Sequence, residues 1–583
     1  MTEIKFILRE AVSQCSERGL YFAAKWAAET LDGLSSSTIE SSSLPPPSSI
    51  IEPETTTTSI KLEKTSTEKL DQPQPQPTSQ NYITYFDSIE YDKYLLGKSY
   101  FDVKEFDRAT FVLEKCKSAK CRFLRIYSKY LAGEKRKEEE RKDIMGPLEN
   151  EKSLNKEVQS LWEEMESWRK EEDLDGFLTY LYGLLVKQKN PHAKDLKDIF
   201  IESVYKYHYN WSAWLELGSC ITTKDTLEEI CLRLPDTFMT KFFRIYVTVE
   251  LLGTPKSFKD LVDHDLKEKF TNNKFLQTQE AIMYYNNRDY DRAEIIFDEI
   301  IKSDPYRVDE MDVYSNILYV MERKMGKLSY LAHMCTYTDK YRSETMCVIG
   351  NLYSSKGDHV KAISYFRRAL QINRNCLSAW TLMGHEYVEL KNTHAAVISY
   401  KRAVEINAKD YRAWCGLGQT YEMLKMPYYA LYYYQHSSAI RPFDARMWTR
   451  LAALYEQTNA PTEATKAYTR SLSCTDIDIN SETQAIVKLA SLYASLSSVN
   501  SNKEKAAQFY TKLLEREDLC PEPEDIRAAE IFLRDFKSEK QQQKEEEEEE
   551  EGKQSEIAGS STQNMNSERS ISYLTHSLKD LGI

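Results

Sequence analysis

The chain has few glycines, and none of its 18 glycines belongs to a phosphate-binding or nucleophile motif. It contains no GxxxxGKS/T loop, no GxGxxG segment after a strand and no GxSxG elbow. Its nine histidines are dispersed, without an HExxH motif or a His/Cys cluster. These absences argue against nucleotide-dependent, hydrolytic and metal-dependent catalysis. We therefore expect a protein that is not an enzyme and that has no catalytic residues, no cofactor and no metal site.

The cysteines also lack the spacing of a disulfide or zinc-binding scaffold. The 11 cysteines are scattered and form no CxxC pair, and the closest two are Cys116 and Cys121. Such spacing is typical of reduced thiols in a cytosolic or nuclear protein, rather than of a disulfide or zinc scaffold.

Long hydrophobic runs and basic stripes are missing as well. The best apolar run, residues 242–253, is interrupted by Arg244, Thr248 and Glu250, so we expect no membrane span. The first residues are charged and amphipathic, unlike a signal peptide. The net charge is -13, and no basic stripe with interleaved aromatic residues occurs. Nucleic acid and membrane are therefore not expected partners.

A 34-residue repeat is present instead. A large apolar residue begins each copy, and a small residue, a tyrosine, an alanine and a second aromatic residue follow at fixed offsets. This pattern is the tetratricopeptide (TPR) signature, a helix-turn-helix unit. The positions that start the four clearest copies are Met346, Trp380, Trp414 and Trp448.

The spacing explains the architecture. The large residue, an aliphatic residue and the tyrosine fall at i, i+3 and i+7, on one face of the first helix. The small residue lets the second helix approach. One pair cannot cover its own apolar faces, so neighbouring pairs must stack. We predict an all-α right-handed TPR superhelical solenoid with a concave groove, a disordered N-terminal insertion and a C-terminal acidic tail.

Composition divides the chain into five segments. Residues 1–34 form an N-terminal helical pair, and the Ser/Pro/Thr/Gln-rich residues 35–80 form a disordered loop. Divergent TPR-like pairs follow over 81–273. The regular array with its capping helix covers 274–536, and an acidic low-complexity tail covers 537–583.

The groove is the candidate functional site. First-helix residues between the packing positions should line it, and most of them are polar, as a peptide-binding wall requires. An extended peptide carrying arginine would suit Asn351, Glu386 and Glu422. The alternative is that any exposed helix shows such residues. The six candidate residues are Asn351, His385, Glu386, Arg412, Gln419 and Glu422.

Longer strings carry a more specific resemblance. The segments DPYRVDEMDVYSNILYV (304–320), AWTLMGHEYVELKNT (379–393) and KDYRAWCGLGQTYEMLKMPYYALYYY (409–434) resemble the subunit 8 family of the anaphase-promoting complex, or cyclosome. The similarity extends to LPDTFMTKFF (234–243) and to the N-terminal helices. The insertion at 35–80 and the glutamate run depart from the family pattern.

The resemblance implies a non-catalytic scaffold subunit of an E3 ubiquitin ligase that promotes cell-cycle progression. It also implies an N-terminal homodimer interface, contacts with other TPR subunits, and a groove that receives the C-box motif of activator subunits. By resemblance, Asn351, His385 and Glu386 are the first candidates, and the protein is expected in nucleus and cytoplasm.

Three other functions stay open at this point: a TPR co-chaperone, a generic peptide-binding adaptor and an enzyme. A TPR co-chaperone would clamp an acidic C-terminal peptide, but such a clamp needs several converging lysines and arginines. Arg412 is the only strong cation among the candidate groove residues. An enzyme would need a cluster of titratable residues in a pocket, which the sequence does not show.

Overall fold

We describe a computed structural model. It describes residues 2–34, 79–140, 155–191, 193–262, 264–321, 324–474, 479–496, 500–515 and 524–545. These ranges contain helices and turns but no strand. Nearly all of the insertion predicted at 35–80, and the tail beyond residue 545, lie outside the described residues. The all-α expectation is confirmed for the part that is described.

The chain divides into two compact units, Met1–Glu386 and Tyr387–Ile583. The part of the first unit before its regular pairs contains α1 (Thr2–Glu17), α2 (Tyr21–Asp32), α3 (Ser79–Asp102), α4 (Phe106–Val112), α5 (Ala119–Glu140), α6 (Glu157–Glu171), α7 (Gly176–Lys189), α8 (Leu196–Lys206), α9 (Trp211–Ser219), α10 (Lys224–Arg233), α11 (Phe238–Glu250), α12 (Pro255–Leu261) and α13 (His264–Lys269).

Regular pairs continue the first unit, and the division between the units falls within α20. These helices are α14 (Lys274–Asn286), α15 (Tyr290–Ser303), α16 (Met311–Val320), α17 (Met325–Thr338), α18 (Ser343–Ser355), α19 (His359–Ile372) and α20 (Leu377–Glu389).

The second unit repeats the same pairing. Its helices are α21 (Thr393–Ile406), α22 (Tyr411–Met423), α23 (Pro427–Ile440), α24 (Ala445–Gln457), α25 (Pro461–Leu472), α26 (Ile479–Ser495) and α27 (Asn500–Leu514), followed by α28 over 524–545. The last helix thus runs beyond residue 536, where the capping helix was predicted to end. No described helix has the length and hydropathy needed to cross a membrane.

The repeated tryptophans have a common structural role. In each case the indole Nε1 donates to the carbonyl oxygen six residues earlier, in the turn before the first helix. This bond fixes the entry into the helix while the ring packs between helices. The pairs are Trp380 with Arg374 at 2.8 Å, Trp414 with Ala408 at 2.9 Å, and Trp448 with Pro442 at 2.9 Å.

The small residues allow close approach of the two helices in a pair. A Cβ added to Gly350 would lie 2.5 Å from the ring of Phe366, and one added to Gly418 would lie 2.9 Å from that of Tyr434. Both rings are fully buried. A side chain at either glycine would therefore force the helices apart.

The turn inside four of the regular pairs is left-handed. Gly357, Lys391, Lys425 and Asn459 occupy the same repeat position, with φ between 56° and 78°. Glycine adopts this conformation freely and asparagine tolerates it, whereas lysine is strained there. At Lys391 and Lys425 the geometry of the repeat therefore imposes a backbone conformation that lysine itself disfavours.

The N-terminal helix pair makes a long-range contact that repeat stacking does not require. The rings of Trp26 on α2 and Trp211 on α9 stack at 4.3 Å, and Phe275 on α14 packs edge-on against both. Lys25 also forms an ion pair with Asp309. Residues 1–34 thus pack against helices far along the first unit.

Candidate functional site

A polar wall crosses three consecutive first helices of the first unit, α16, α18 and α20. Asn351 on α18 is 1% exposed, and its Nδ2 donates to Ser315 Oγ at 2.8 Å and to Asn316 Oδ1 at 2.7 Å. A buried amide is stable only when its hydrogen bonds are made, so α16 and α18 hold each other in register.

Glu386 lies one helix further along the same wall. Its carboxylate is 3% exposed and accepts a hydrogen bond from Ser354 Oγ at 2.7 Å. Its other oxygen lies 2.8 Å from Nδ1 of His359, at the start of α19. Ser354 follows Asn351 by three residues on α18. One carboxylate therefore links α18, α19 and α20.

Two further carboxyl groups stand at the α16 end of the wall. Asp312 is buried and accepts from Ser378 Oγ on α20 at 2.7 Å. Burial raises the pKa of Asp312. Glu310 has a left-handed backbone, with φ 60°, and burial raises its pKa to about 7, with Arg307 acting in the opposite direction. Among the described residues, no lysine or arginine forms an ion pair with Glu310 or Asp312.

Neither acid forms an ion pair within the described residues, and Arg307, which favours ionisation of Glu310, lies 3.8 Å from Glu29. Burial disfavours the charged form of a carboxylic acid, and a nearby positive charge restores it. The neighbouring acids Asp309 and Glu29 disfavour ionisation of Glu310 further. The wall is therefore suited chemically to a cationic ligand.

Four further candidate residues lie on α20 and in the second unit. His385 is exposed on α20, beside the buried Glu386. In the second unit, Glu422 accepts from Tyr434 Oη at 3.1 Å and lies 3.6 Å from Arg450. The guanidinium of Arg412 lies 5.5 Å from the Tyr411 ring centre, and Gln419 is half-buried.

The sequence interpretation differs from the structure in one respect. Asn351 and Glu386 were expected to present free polar groups to a peptide, but both are buried and bonded to neighbouring helices. Counting along one helix cannot reveal partners that come from the next helix. Asp312, Ser315 and Asn316 are not among the six candidate residues, although the polar residues within DEMDVYSN were an available signal.

One cluster of two thiols and a carboxylate has the residue types and the close spacing of a metal site. The ligand atoms of Glu90, Cys116 and Cys121 lie within 4.8 Å of one another. The Glu90 carboxylate accepts from the backbone amides of Lys117 and Ser118, both at 2.9 Å. Burial raises the pKa of Cys121 to about 12 and also raises that of Cys116, so both thiols stay protonated. The carboxylate thus has a structural role at the turn before α5.

The paired helices, the tryptophan-to-carbonyl bonds and the glycine–aromatic contacts define a TPR protein, and three of its first helices share a polar wall. Profiles of the tetratricopeptide repeat match residues 343–376 and 377–410. The family profile "Anaphase promoting complex subunit 8 / Cdc23" matches residues 3–281.

Curated relatives agree with this profile. The chain is 42% identical over 393 residues to anaphase-promoting complex subunit 8 of Arabidopsis thaliana, an alignment that covers 67% of this chain and 66% of that protein. It is 34% identical over 458 residues to subunit CDC23 of Saccharomyces cerevisiae, covering 68% and 70%. The human cell division cycle protein 23 homolog is 41% identical, but the alignment covers 57% of this chain and 49% of that protein.

The chain belongs to the anaphase-promoting complex subunit 8/Cdc23 family, a family of TPR scaffold subunits that are not themselves catalytic. Among solved structures, it is similar to the APC/C hetero-tetramer Cut9–Hcn1, with a TM-score of 0.53 and 15% identity over 74% of this chain and 86% of that one. At this identity the likeness supports the TPR fold alone.

Proposed function

We propose that the polar wall of the first unit binds an arginine-bearing peptide, the C-box motif of activator subunits, within the anaphase-promoting complex. In this proposal the chain is a scaffold that promotes cell-cycle progression in nucleus and cytoplasm. It contacts other TPR subunits and homodimerises through its N-terminal helices. Neither nucleic acid nor membrane is proposed as a partner.

The observation that supports the peptide proposal is that two carboxyl groups of the wall have no ion-pair partner among the described residues. A guanidinium is planar and donates several hydrogen bonds, so it can bind a carboxylate and a neighbouring side-chain carbonyl together. Glu310 and Asp312 supply carboxyl groups without an ion-pair partner. Glu386 supplies a third, which is already bonded to Ser354 and His359. An arginine would restore the charged forms that burial disfavours.

The same chemistry argues against the co-chaperone alternative. A clamp for an acidic C-terminus needs converging cations, whereas this wall presents carboxylates. A carboxylate ligand placed beside Glu310 and Asp312 would be repelled.

Fluorescence anisotropy with a labelled C-box peptide tests the proposal. The matched control peptide carries citrulline in place of arginine, which keeps the shape but removes the charge. We expect the arginine peptide to bind at least tenfold more tightly, a difference of about 1.4 kcal/mol. Asp312→Asn should remove much of that preference. Equal affinity for both peptides would contradict an acidic docking wall.

Exposed apolar side chains support the homodimer proposal. Five large hydrophobic residues on α1, α3, the turn after α3, and α4 are between 45% and 77% exposed. Concentrated apolar exposure is typical of surfaces that a partner covers. These residues are Phe6, Leu95, Leu96, Val103 and Phe111.

Sedimentation equilibrium of the full chain tests this interface. We expect a dimer for the native sequence and a monomer for Val103→Glu combined with Phe111→Glu. Leu232→Glu is the matched control, because Leu232 is 88% exposed on α10, a different helix. A native monomer, or a double variant that still dimerises, would contradict the assignment.

A further inference from the structure

Two cysteine thiols meet beside the polar wall of the first unit. Cys347 lies on α18, and Cys376 directly precedes α20, in the turn that follows α19. Their sulfur atoms are 3.9 Å apart, which is direct contact between two sulfurs. A disulfide holds its sulfurs about 2 Å apart, so each sulfur has to move by only about 1 Å. The two thiols therefore lie close to bonding distance before any oxidation.

The backbone on both sides of this contact is held in place. Cys347 lies within a helix of 13 residues. The N–H of Cys376 donates to the carbonyl of Asn373 at 3.1 Å, and the carbonyl of Cys376 accepts from the N–H of Trp380 at 3.4 Å. The indole of Trp380 is itself bonded to the carbonyl of Arg374 at 2.8 Å. The packing of the repeats thus sets the distance between the two thiols.

The two thiols differ in their access to solvent. Cys376 is partly exposed, whereas Cys347 is fully buried. The hydrogen bond with Cys376, together with burial, raises the pKa of Cys347, so this thiol keeps its proton in the folded chain. A small oxidant in solution can reach the sulfur of Cys376 but not that of Cys347. This difference makes Cys376 the residue that reacts first and Cys347 the residue that completes the reaction.

We propose that Cys376 and Cys347 form a site of reversible oxidation, at which hydrogen peroxide joins them in a disulfide. The Cys376 sulfur attacks one peroxide oxygen, the O–O bond breaks, and the leaving hydroxide takes the Cys376 proton as water. The Cys347 sulfur then attacks the sulfenic sulfur of Cys376. The S–S bond forms, the S–O bond breaks, and hydroxide leaves with the Cys347 proton as a second water. The sulfurs lose two electrons and the peroxide gains them; a dithiol reverses the bond by exchange.

A second thiol pair in the same chain lacks the accessible member. Cys116 and Cys121 also lie within 4.8 Å of each other, but they are only 5% and 1% exposed. The neighbouring Glu90 carboxylate further disfavours the thiolate of both. Peroxide should leave this pair reduced, so it serves as an internal control for the reaction at Cys376.

The disulfide would join two helices of the polar wall. Cys347 precedes Asn351 by one helical turn on α18, and Cys376 precedes Ser378 by two residues. Ser378 Oγ donates to the buried Asp312 on α16 at 2.7 Å. The bond links positions 29 residues apart, which restricts the unfolded chain and favours the folded state. Oxidation therefore fixes α18 to the start of α20, and the proposal does not depend on which ligand the wall binds.

Peptide mapping of the native full-length chain tests the proposal. The reduced protein is treated with hydrogen peroxide, its remaining thiols are blocked with iodoacetamide in denaturant, and it is digested without reduction. We expect a peptide that joins Cys347 to Cys376 and that disappears after dithiothreitol. Its yield should exceed that of any Cys116–Cys121 disulfide at least tenfold. The oxidised sample should melt at a higher temperature than the same sample after dithiothreitol, a comparison that leaves methionine oxidation unchanged.

Two single variants test the role of each thiol. In Cys347→Ser, dimedone should capture a sulfenic acid at Cys376, because no thiol remains to displace its hydroxyl group. In Cys376→Ser, peroxide should leave Cys347 free for alkylation. Cys231→Ser is the matched control, since Cys231 is also partly exposed but lies on α10, and its yield of the disulfide should equal that of the native chain.

The mapping of the native chain needs no variant, so the folding of a variant does not decide the outcome. Four results would overturn the proposal: no peptide joining Cys347 to Cys376, equal yields from the two thiol pairs, oxidation of Cys347 in Cys376→Ser, or a melting temperature that dithiothreitol leaves unchanged.

Discussion

Glu386→Gln is the substitution that best separates a structural from a functional role of the polar wall. Glutamine keeps the size of glutamate and one acceptor oxygen, so the bond from Ser354 can persist. The charge that faces His359 across 2.8 Å is lost. A lysine at this position would instead bury a cation at a site that is 3% exposed, and its effect could not be told from unfolding.

The magnitude follows from these contacts. Replacing a charge-assisted hydrogen bond at a buried position by a neutral one should lower the free energy of unfolding by about 1 to 2 kcal/mol. If an incoming arginine also uses this carboxylate, peptide affinity should fall by about 2 kcal/mol, which is about thirtyfold in Kd. Urea unfolding and anisotropy with the C-box peptide measure the two effects separately.

His359→Gln is the matched control. It removes the same internal contact but leaves the carboxylate in place, so it should cost similar stability and keep peptide binding unchanged or tighter. If both variants bind the peptide as the native chain does, Glu386 serves only to join the helices. Equal loss of binding in both variants would also refute a direct role, because the effect would then follow stability.

Three further predictions concern the fold. Lys425→Gly relieves a left-handed turn and should raise the free energy of unfolding by roughly 0.5 to 1 kcal/mol in urea, whereas Lys356→Gly, at a right-handed position, should lower it. Gly350→Ala places a methyl group 2.5 Å from Phe366 and should lower the melting temperature, with a cost of about 1 to 3 kcal/mol. Because the folded pKa of Glu310 is about 7, against an ordinary 4.5, the native state binds an extra proton between these values. Stability should fall as pH rises through this window, and Glu310→Gln should flatten the slope in unfolding curves at pH 5 and 7.5; an unchanged slope would refute the assignment.

The regular repeats could be predicted from sequence because their packing is local. Trp380, Gly350 and Tyr434 contact residues of their own or the adjacent repeat, so a 34-residue period encodes their environment. The same period predicts each turn. It does not predict that Lys391 and Lys425 would adopt the left-handed conformation, since the second helix imposes it.

The parts that sequence could not predict depend on distant or unpatterned partners. Trp26 stacks on Trp211, which lies far along the chain, and no repeat in the sequence predicts that contact. Asn351 was correctly placed among polar first-helix residues, but its bonding to Ser315 depends on the pitch between successive pairs. The raised pKa of Glu310 arises from burial, which composition does not reveal.

Affinity purification of the tagged full-length chain from its own cells, followed by size fractionation and identification of the co-purifying proteins, tests the central claim most directly. The account predicts that the chain elutes in a large assembly with other TPR subunits of the anaphase-promoting complex in fixed proportion. It also predicts that activator subunits are recovered and are lost from the Asp312→Asn variant while the TPR subunits remain. Elution as a free dimer, or recovery with chaperones in place of the complex, would contradict it.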